Sequence, residues 1–482
     1  MRSIELKKLI TIFILIFSGH HSFSQTGTLD STFNGNGQLI VDNGYNHMTC
    51  FLVQPDSSIL VAGGQYDIAM ARYKVNGSPD SSFGNNGVVV RNFSTIYYSE
   101  STEIIELLPN GKILLLCKLG GHSNYADTSF YFMAKFLPNG NIDSSFGQHG
   151  IADLNFSKGR KIDAMSIQRN GKIVLSGSND GTDGMFRGFI IARLNRDGSY
   201  DNSFGTRGLV HTIFTHQESD TVNSSIYTDV HEIRGMVIQD DGKIIAAGYT
   251  VTLWNDYRYD TIAIARYNTD GSLDSSYDGD GKIFINPPNN YQDYDYGSSI
   301  TAVLLQPDQK LLIAGNFSSL QSHGRWLHGD LALIRLNTNG KPDSSFDGDG
   351  MKDYRAQYSK HSCVGIALQS DNKILLGGNG SDPDGHNSNI EMFRVHNNGD
   401  EDNDFGPGGF IRPLLLDQYD IIRSYTWVMK IKGNRIYMLS DMGLRALKNN
   451  GIDLNPATRK LCQSDANLAI KAGLTATSVL AI

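Results

Sequence analysis

Short apolar runs separated by polar, glycine-containing turns recur along the chain at a regular interval. Residues 230–286 show one unit most clearly. Apolar runs extend from Val230 to Gln239, from Lys243 to Thr250 and from Thr261 to Asn268, and a short fourth run extends from Lys282 to Asn286. Runs of this length that are bounded by Gly, Asn and Asp are typical of β-strands joined by tight turns. The pattern therefore predicts four strands per unit.

Three short patterns mark each unit and occur in a fixed order. A hairpin turn such as Asp241-Gly242 separates the first two strands, and the third strand ends in a pattern such as Ala-Arg-Tyr-Asn-Thr-Asp-Gly at residues 265–271. An Asp-x-Ser-Phe-like turn follows, and its seven copies lie on average 62 residues apart, measured from Phe33 to Phe405 over six intervals. Four antiparallel strands repeated with this period predict a blade of a β-propeller.

The two ends of the repeat region complement each other. Residues 29–42 carry only the third turn and fourth strand of a unit, and residues 427–451 carry only the first three strands. If the N-terminal strand joins the last three, the ring closes and no sheet edge is left free. We therefore predict an all-β, seven-bladed β-propeller of four-stranded antiparallel blades within residues 25–455, closed by the N-terminal strand.

The three patterns resemble those of the delta-60 repeat family, a β-propeller family of secreted bacterial proteins. The resemblance covers residues 27–455 and implies a fold and a secreted or surface location, but no particular activity. The run Leu454-Asn455-Pro456-Ala457-Thr458 is similar to the start of the sorting tail of Bacteroidetes secretion systems. Residues 456–482 form a C-terminal tail to which the sequence assigns no role.

The N-terminus has the pattern of a signal peptide. Basic residues at positions 2, 7 and 8 precede the apolar run Leu9 to Phe17, and Ser22-Phe23-Ser24 allows cleavage before Gln25. The alternative is a buried N-terminal strand. No later segment approaches 18 consecutive apolar residues, so no transmembrane segment is expected. We predict that residues 1–24 are removed and that the mature protein is a bacterial secreted or cell-surface monomer.

Charge and cysteine content exclude several classes of partner. The chain carries a net charge of −8, and without residues 1–24 it has 39 basic and 49 acidic residues, a net charge of −10. Binding of phosphate groups requires clustered Lys and Arg, so nucleic acid and anionic membranes are not expected partners. The sequence distances between the cysteines fit neither zinc nor a disulfide framework, and Cys117, at the end of an apolar run that begins at Ile113, is expected to be a buried thiol. The cysteines are Cys50, Cys117, Cys363 and Cys462.

The repeated polar and aromatic residues favour a structural role over a functional one, because packing repeats around a ring whereas a site is usually made once. An Asp fixes a turn by accepting backbone N–H groups, and a Phe beside Gly fills the seam between blades. A basic residue recurs in every third strand, and we expect a structural salt bridge with the repeated Asp. These residues are Arg72, Lys135, Arg193, Arg266, Arg335, Arg394 and Arg445.

Four oxygen-rich loops are candidates for calcium binding, although none has the spacing or terminal Glu of an EF-hand. The alternative is an ordinary polar turn. The loops are residues 179–183, 278–281, 347–350 and 382–385. The sequence contains no G-x-S-x-G, H-E-x-x-H, P-loop or Rossmann pattern. Scattered acidic residues still meet in some folds, so an enzyme stays an alternative.

One face of the predicted propeller differs from the other. Connections after the first and third strands are short and nearly constant, whereas those after the second and fourth strands vary in length. We call the face that carries the latter connections the variable face. Its loops contain many Tyr and Trp residues, which grip sugars or peptides beside carboxylates. We predict that Trp254, Tyr257, Tyr294 and Trp326 line a surface for a carbohydrate or protein ligand.

Three functions follow as hypotheses. The first is a secreted or cell-surface binding protein. The second is a polysaccharide hydrolase or lyase whose site lies on the same face, and the third is a purely structural repeat module. For the variable face itself, the alternative is that the aromatic residues only pack the loops on themselves.

Overall fold

A computed structural model of the protein describes most of the chain between residues 29 and 481. The described residues are 29–39, 48–64, 66–93, 99–120, 130–154, 160–179, 188–214, 227–254, 257–286, 299–320, 326–354, 360–381, 388–411, 426–432, 435–440, 443–448, 468–472 and 476–481. The expected signal peptide, residues 1–24, lies outside them and stays a prediction.

Six four-stranded antiparallel sheets follow one another along the chain. The first three contain β2 (Met48–Val53), β3 (Ile59–Gly64), β4 (Ile68–Tyr73) and β5 (Val88–Arg91); β6 (Ser99–Leu107), β7 (Ile113–Gly120), β8 (Phe130–Phe136) and β9 (Ile151–Asp153); and β10 (Arg160–Ile167), β11 (Ile173–Asn179), β12 (Gly188–Leu194) and β13 (Leu209–Thr212). The next three contain β14 (Tyr227–Ile238), β15 (Ile244–Trp254), β16 (Tyr257–Tyr267) and β17 (Lys282–Ile285); β18 (Ser299–Leu305), β19 (Leu311–Leu320), β20 (Trp326–Leu336) and β21 (Met351–Tyr354); and β22 (Lys360–Leu368), β23 (Ile374–Ser381), β24 (Ser388–Val395) and β25 (Phe410–Ile411).

These six sheets confirm the all-β class and the four-stranded antiparallel blade. In each sheet the strands pair in chain order, and the first strands of neighbouring sheets contact one another. The first strand of each blade is therefore the innermost one. No helix among the described residues is long and apolar enough to cross a membrane.

A seventh sheet combines both ends of the chain. It contains β1 (Gln38–Leu39), β26 (Thr426–Lys432), β27 (Arg435–Ser440), β28 (Gly443–Lys448), β29 (Leu468–Ala472) and β30 (Ala476–Ala481), in the order β1-β28-β27-β26-β30-β29. Strand β1 pairs antiparallel with β28, with Leu39 opposite Leu444. This sheet has six strands and not the expected four, so the count of seven blades and the closure of the ring stay predictions.

The repeated Phe fills the seam between blades, as expected. In the third blade, Phe204 is fully buried, and Gly271 of the following blade lies over its ring. A Cβ atom on Gly271 would lie 3.1 Å from that ring and 2.8 Å from Val210, and the φ of Gly271 is +91°. Only glycine adopts this conformation readily and allows so close an approach. The same pairs recur as Phe33–Gly77, Phe83–Gly140, Phe146–Gly198, Tyr277–Gly340 and Phe346–Gly399.

The repeated Asp is held by two cations and a hydroxyl. Asp201 Oδ2 accepts from Arg193 Nε at 2.6 Å and from Lys172 Nζ at 2.7 Å, while Asp201 Oδ1 accepts from the Ser203 hydroxyl at 2.7 Å. The expected salt bridge with the third-strand basic residue is thereby confirmed. It recurs as Arg72–Asp80, Lys135–Asp143, Arg266–Asp274, Arg335–Asp343 and Arg394–Asp402.

In most blades the basic residue of the third strand also contacts the next blade. Arg193 Nη1 donates to the carbonyl of Thr269 in the following blade at 2.5 Å, and its guanidinium lies 4.4 Å from the centroid of the Phe204 ring. One side chain therefore fixes the turn, covers the seam aromatic and contacts the neighbouring blade. We call this combination of repeated Asp, basic residue and aromatic ring the seam unit.

The last sheet builds its seam unit from a different residue. Asp30 Oδ2 accepts from Arg435 Nε at 2.6 Å, and Arg435 Nη1 donates to the carbonyl of Val75. Arg435 occupies the hairpin position where five of the other blades carry a Lys and the first carries Ser58, and its longer reach serves both contacts. The sequence analysis did not single it out. The side chain of Arg445, which the sequence analysis named, lies outside the described part of the structure.

Three of the cysteines are buried free thiols, which confirms the prediction for Cys117: Cys50, Cys117 and Cys363. Burial raises the pKa of the Cys363 thiol to about 11, so this thiol is protonated and unreactive at neutral pH. Cys462 lies outside the described residues.

The buried seam aromatics predict a large loss of stability on truncation. Phe146 and Phe346 are both fully buried. Replacing either by Ala removes a ring and leaves a cavity, so the free energy of unfolding should fall by about 3–5 kcal/mol. Denaturant unfolding measures this, and a loss below about 1 kcal/mol would contradict the seam role.

The seam unit also predicts acid sensitivity. Burial alone would raise the pKa of Asp143, but hydrogen bonds from Lys112 and Ser145 lower it to about 2. A carboxyl group whose folded pKa lies below its unfolded value of about 3.9 stabilises the fold above that value, and the stabilisation is lost as the pH falls through the folded pKa. The free energy of unfolding should therefore fall between about pH 4 and pH 2.

The variant Asp143→Asn separates this effect from general acid denaturation. It should be less stable than the wild type at pH 7 and should lose less stability on acidification from pH 4 to pH 2. An unchanged pH slope would show that Asp143 does not contribute. Urea unfolding at a series of pH values provides the measurement.

Candidate functional site

A β-bulge interrupts the first strand of every sheet at the same place. The pairing register between the first two strands skips one residue, five positions before the hairpin turn. Bulges of this kind re-aim a side chain and are frequent beside functional sites. The bulge residues are Thr49, Glu103, Asp163, Arg234, Thr301, Val364 and Trp427.

The residue at the bulge changes from blade to blade. The seam positions repeat because packing requires them, whereas the bulge carries hydroxyl, acidic, basic and apolar side chains. Charged residues stand there on three consecutive blades, as Glu103, Asp163 and Arg234. Two further charged residues, Lys161 and Glu232, precede the last two by two positions, toward the variable face. We call these five residues the charged arc.

The arc alternates in charge across β10 and β14. Lys161 Nζ lies 3.0 Å from Asp163 Oδ1 and 3.2 Å from Glu232 Oε2. Arg234 Nη2 lies 2.7 Å from the same Glu232 oxygen. Glu232 is thus held between two cations, one from each blade, and links the two innermost strands.

Electrostatics keep these groups charged. Burial alone would raise the pKa of Glu232, but Arg234 and Lys161 lower it below its usual value. Burial alone would lower the pKa of Lys161, but the charges of Asp163 and Glu232 raise it. Tyr249 lies beside them, with its hydroxyl accepting from Arg234 Nη2 at 2.9 Å, and burial raises its pKa. The phenol is therefore neutral at pH 7 while Glu232 and Lys161 are ionised.

Two members of the arc are buried with unused hydrogen-bonding atoms. Asp163 is 4% exposed and Arg234 is 7% exposed. Both carboxylate oxygens of Asp163 and the Nε and Nη1 atoms of Arg234 have no hydrogen-bond partner among the described residues. Asp163 Oδ1 nevertheless forms an ion pair with Lys161 Nζ at 3.0 Å. Buried polar atoms are almost always hydrogen-bonded, so this set of donors and acceptors is unusual.

The structure places three of the four predicted ligand residues at the outer ends of long hairpins. Strand β15 continues to Trp254 and β16 begins at Tyr257, and these two residues are opposite each other in the register. The loop expected between Thr250 and Thr261 is wrong, because β15 extends to Trp254 and β16 already begins at Tyr257. Trp326 begins β20 in the next blade and is opposite Leu320. The side chains of Trp254, Tyr257 and Trp326, and the whole of Tyr294, lie outside those described, so their role stays a prediction.

The hairpin that carries Trp254 and Tyr257 belongs to the blade whose first strand carries Glu232 and Arg234. Sequence reasoning missed the charged arc. An alignment of the seven units on the hairpin turn would have revealed it, because the residue type fails to repeat at the position five residues before the turn.

The calcium loops show turn chemistry where they are described. Asp280 Oδ1 accepts from the N–H of Lys282, and Asp349 Oδ1 accepts from the N–H of Met351, both at 2.8 Å. Over the described ranges, no three His, Cys, Asp or Glu side chains are grouped so as to hold a metal ion. Most of the other two loops lies outside those ranges. Calcium binding stays a prediction.

Comparison with protein families supports a β-propeller repeat family. A family described as a domain of unknown function (DUF5122) beta-propeller matches residues 54–83, 108–146, 168–204, 239–277 and 306–346. Each matched segment runs from a hairpin turn to the following seam aromatic. The delta-60 name and the secreted character stay predictions. No curated protein matches the chain.

Several solved structures match this chain at low sequence identity. YCF48 bound to D1 peptide is 8% identical, with 88% of this chain and 98% of that chain covered and a TM-score of 0.41. An alpha-L-arabinanase of Penicillium chrysogenum complexed with arabinobiose is 11% identical, covering 83% and 98%, with a TM-score of 0.39. The beta-propeller domain of the Trilobed protease from Pyrococcus furiosus is 9% identical, covering 85% and 95%, with a TM-score of 0.39. None of these values supports an argument about function.

Proposed function

We propose that this protein is a secreted or cell-surface binding protein of a bacterium, with a site for a carbohydrate or protein ligand on its variable face. The observation that carries the proposal is the charged arc. It occurs once around the repeat, it lies on the innermost strands, and it holds buried donors and acceptors that the described chain leaves unused. The aromatic residues at the tip of the hairpin in the same blade supply a second contact surface.

The arc favours binding over hydrolysis. Hydrolysis of a glycosidic bond requires one carboxylic acid that is protonated near neutral pH, which needs a raised pKa. The pKa of Glu232 is lowered by Arg234 and Lys161. A polysaccharide hydrolase or lyase is the second candidate, because Glu103, Asp163 and Glu232 stand on three consecutive first strands. Turnover of any glycan would establish it, whereas a structural module would bind nothing.

We further propose that the seventh sheet is the seventh blade and that the N-terminal strand closes the ring. Three contacts support this. Asp30 is bonded to Arg435 at 2.6 Å, the rings of Phe33 and Tyr437 meet edge to face with centroids 6.0 Å apart, and β26 contacts β2. Asp30 and Arg435 are 405 residues apart in the chain. Their ion pair therefore joins the N-terminal segment to the hairpin of β26 and β27.

The closure proposal predicts that Arg435→Met destabilises the whole protein. The change leaves Asp30 largely buried without its cation, which costs about 3 kcal/mol. It should also expose residues 29–39 to limited proteolysis. The matched control is Arg72→Met, which breaks the same bond within a whole blade and should lower the melting temperature without releasing the N-terminal segment. An unchanged melting temperature in Arg435→Met would contradict closure.

The binding proposal is tested on a panel of oligosaccharides and peptides, with calcium titrated in the same assay. We expect Trp254→Ala, Trp326→Ala and Arg234→Met to weaken binding of any ligand found. The two tryptophan variants should keep the wild-type melting temperature, because surface changes cost less than about 0.5 kcal/mol. If they unfold as Phe146→Ala does, the rings belong to the core and the variable-face argument fails.

A further inference from the structure

The C-terminal hairpin lies among the innermost strands. Strand β29 lies against β10, β14 and β18, and β30 lies against β2 and β22. Strand β30 also pairs in parallel with β26, where Met429 is opposite Leu480 and Lys430 is opposite Ala481. The hairpin therefore occupies the space that the first strands enclose. It belongs to the C-terminal tail to which the sequence assigned no role.

Two of the three strands that β29 lies against, β10 and β14, carry most of the charged arc. Asp163 is on β10 and Arg234 is on β14, and both are buried. Asp163 Oδ1 is ion-paired with Lys161, whereas Asp163 Oδ2 and the Nε and Nη1 atoms of Arg234 have no hydrogen-bond partner among the described residues. Burying such atoms without hydrogen bonds is unfavourable, since each has given up its bonds to water. A segment that belonged permanently at this place would be expected to satisfy them. Strand β29 thus lies against the strands that carry these side chains, while their polar atoms keep no hydrogen-bond partner among the described residues.

We propose that the C-terminal hairpin is a displaceable cover over a binding site for a neutral carbohydrate, formed by Lys161, Asp163, Glu232, Arg234 and Tyr249. This inference rests on the proposed binding function and names the ligand class and its regulation. A ligand that hydrogen-bonds to Asp163 and Arg234 supplies the hydrogen bonds that these side chains lack beneath the hairpin. It competes with the hairpin for the same space.

The chemistry of the arc favours neutral hydroxyl groups. The site contains two cations, Lys161 and Arg234. Its two anions, Asp163 and Glu232, balance them, so the formal charges sum to zero and a charged ligand gains no net attraction. A sugar hydroxyl donates one hydrogen bond and accepts others, so neighbouring hydroxyls can donate to Asp163 and accept from Arg234. An extended peptide is the poorer match, because β29 is itself such a strand and leaves these atoms without partners.

The cover predicts that weakening the hairpin tightens binding. When a site is open for only a fraction of the time, the apparent dissociation constant is the intrinsic constant divided by that fraction. In β29, Ile470 is opposite Ser478 of β30. Proline at position 470 removes an N–H group from the middle of this short strand and disfavours it. The conservative change Ile470→Val keeps the strand.

The test uses the full chain and isothermal titration with neutral gluco-, xylo- and arabino-oligosaccharides. Acidic oligosaccharides and a synthetic peptide of residues 466–482 form the other arms. We expect Ile470→Pro to bind a neutral oligosaccharide at least about tenfold more tightly than the wild type, and Ile470→Val to bind like the wild type. Adding Asp163→Asn to Ile470→Pro should weaken binding at least about tenfold, because a hydrogen bond to a charged group is lost.

A measurement on the unmodified protein guards against a variant that fails to fold. Hydrogen exchange with and without the oligosaccharide should show faster exchange of amides 468–481 and slower exchange of amides 160–167 on binding. Unchanged exchange in residues 468–481 on binding would overturn the cover.

The outcomes distinguish this inference from the proposed function. If a neutral oligosaccharide binds but Ile470→Pro binds no more tightly, the cover is wrong and the binding function stands. If only the peptide or an acidic oligosaccharide binds, the ligand class is wrong. If no ligand binds to the wild type or to Ile470→Pro, both proposals fail.

Discussion

The seam unit is the interaction on which the rest of the fold depends. Each described repeated Asp is held by a basic residue, and in most blades that residue also reaches a carbonyl of the next blade, as Arg193 reaches Thr269. A four-stranded sheet cannot bury both faces alone, so a blade is stable only when its neighbours cover it. The seam unit fixes the place at which this covering happens. The buried Asp carboxylates form ion pairs and hydrogen bonds within the protein, which replace their contacts with water. Protonation of these carboxylates at low pH weakens the ion pairs, so the seam unit is sensitive to acid.

Much of the fold could be predicted because packing repeats. The period of the Asp-x-Ser-Phe-like turn, the positive φ of residues such as Gly271 and the alternation of apolar runs all reflect the same unit. Predictions failed where the chain departs from that unit. The strands that end at Trp254 and begin at Tyr257 extend beyond the usual blade, and polar residues among the apolar ones concealed their strand periodicity. Arg435 was missed because it serves a seam from a hairpin position.

The candidate site was hidden from sequence reasoning for the opposite reason. Asp163 and Arg234 carry no motif, and they are notable only because they occupy equivalent positions with different chemistry. The ion pair between Lys161 and Glu232, which lie beside them, crosses from one blade to the next, and no local pattern reveals it. A repeat scaffold thus divides its residues into two sets. The seam residues are the same in every blade and maintain the ring, while the bulge residues are free to differ and can specify a ligand.

The most direct test of this division compares two aspartates, one from the seam residues and one from the bulge residues. Asp143 belongs to a seam unit and Asp163 to the charged arc, and both are buried. Thermal melting and ligand titration should be measured side by side on Asp143→Asn and Asp163→Asn. The account predicts that Asp143→Asn lowers the melting temperature while its folded fraction keeps wild-type affinity, and that Asp163→Asn loses affinity at a nearly unchanged melting temperature. The reverse pattern would contradict it.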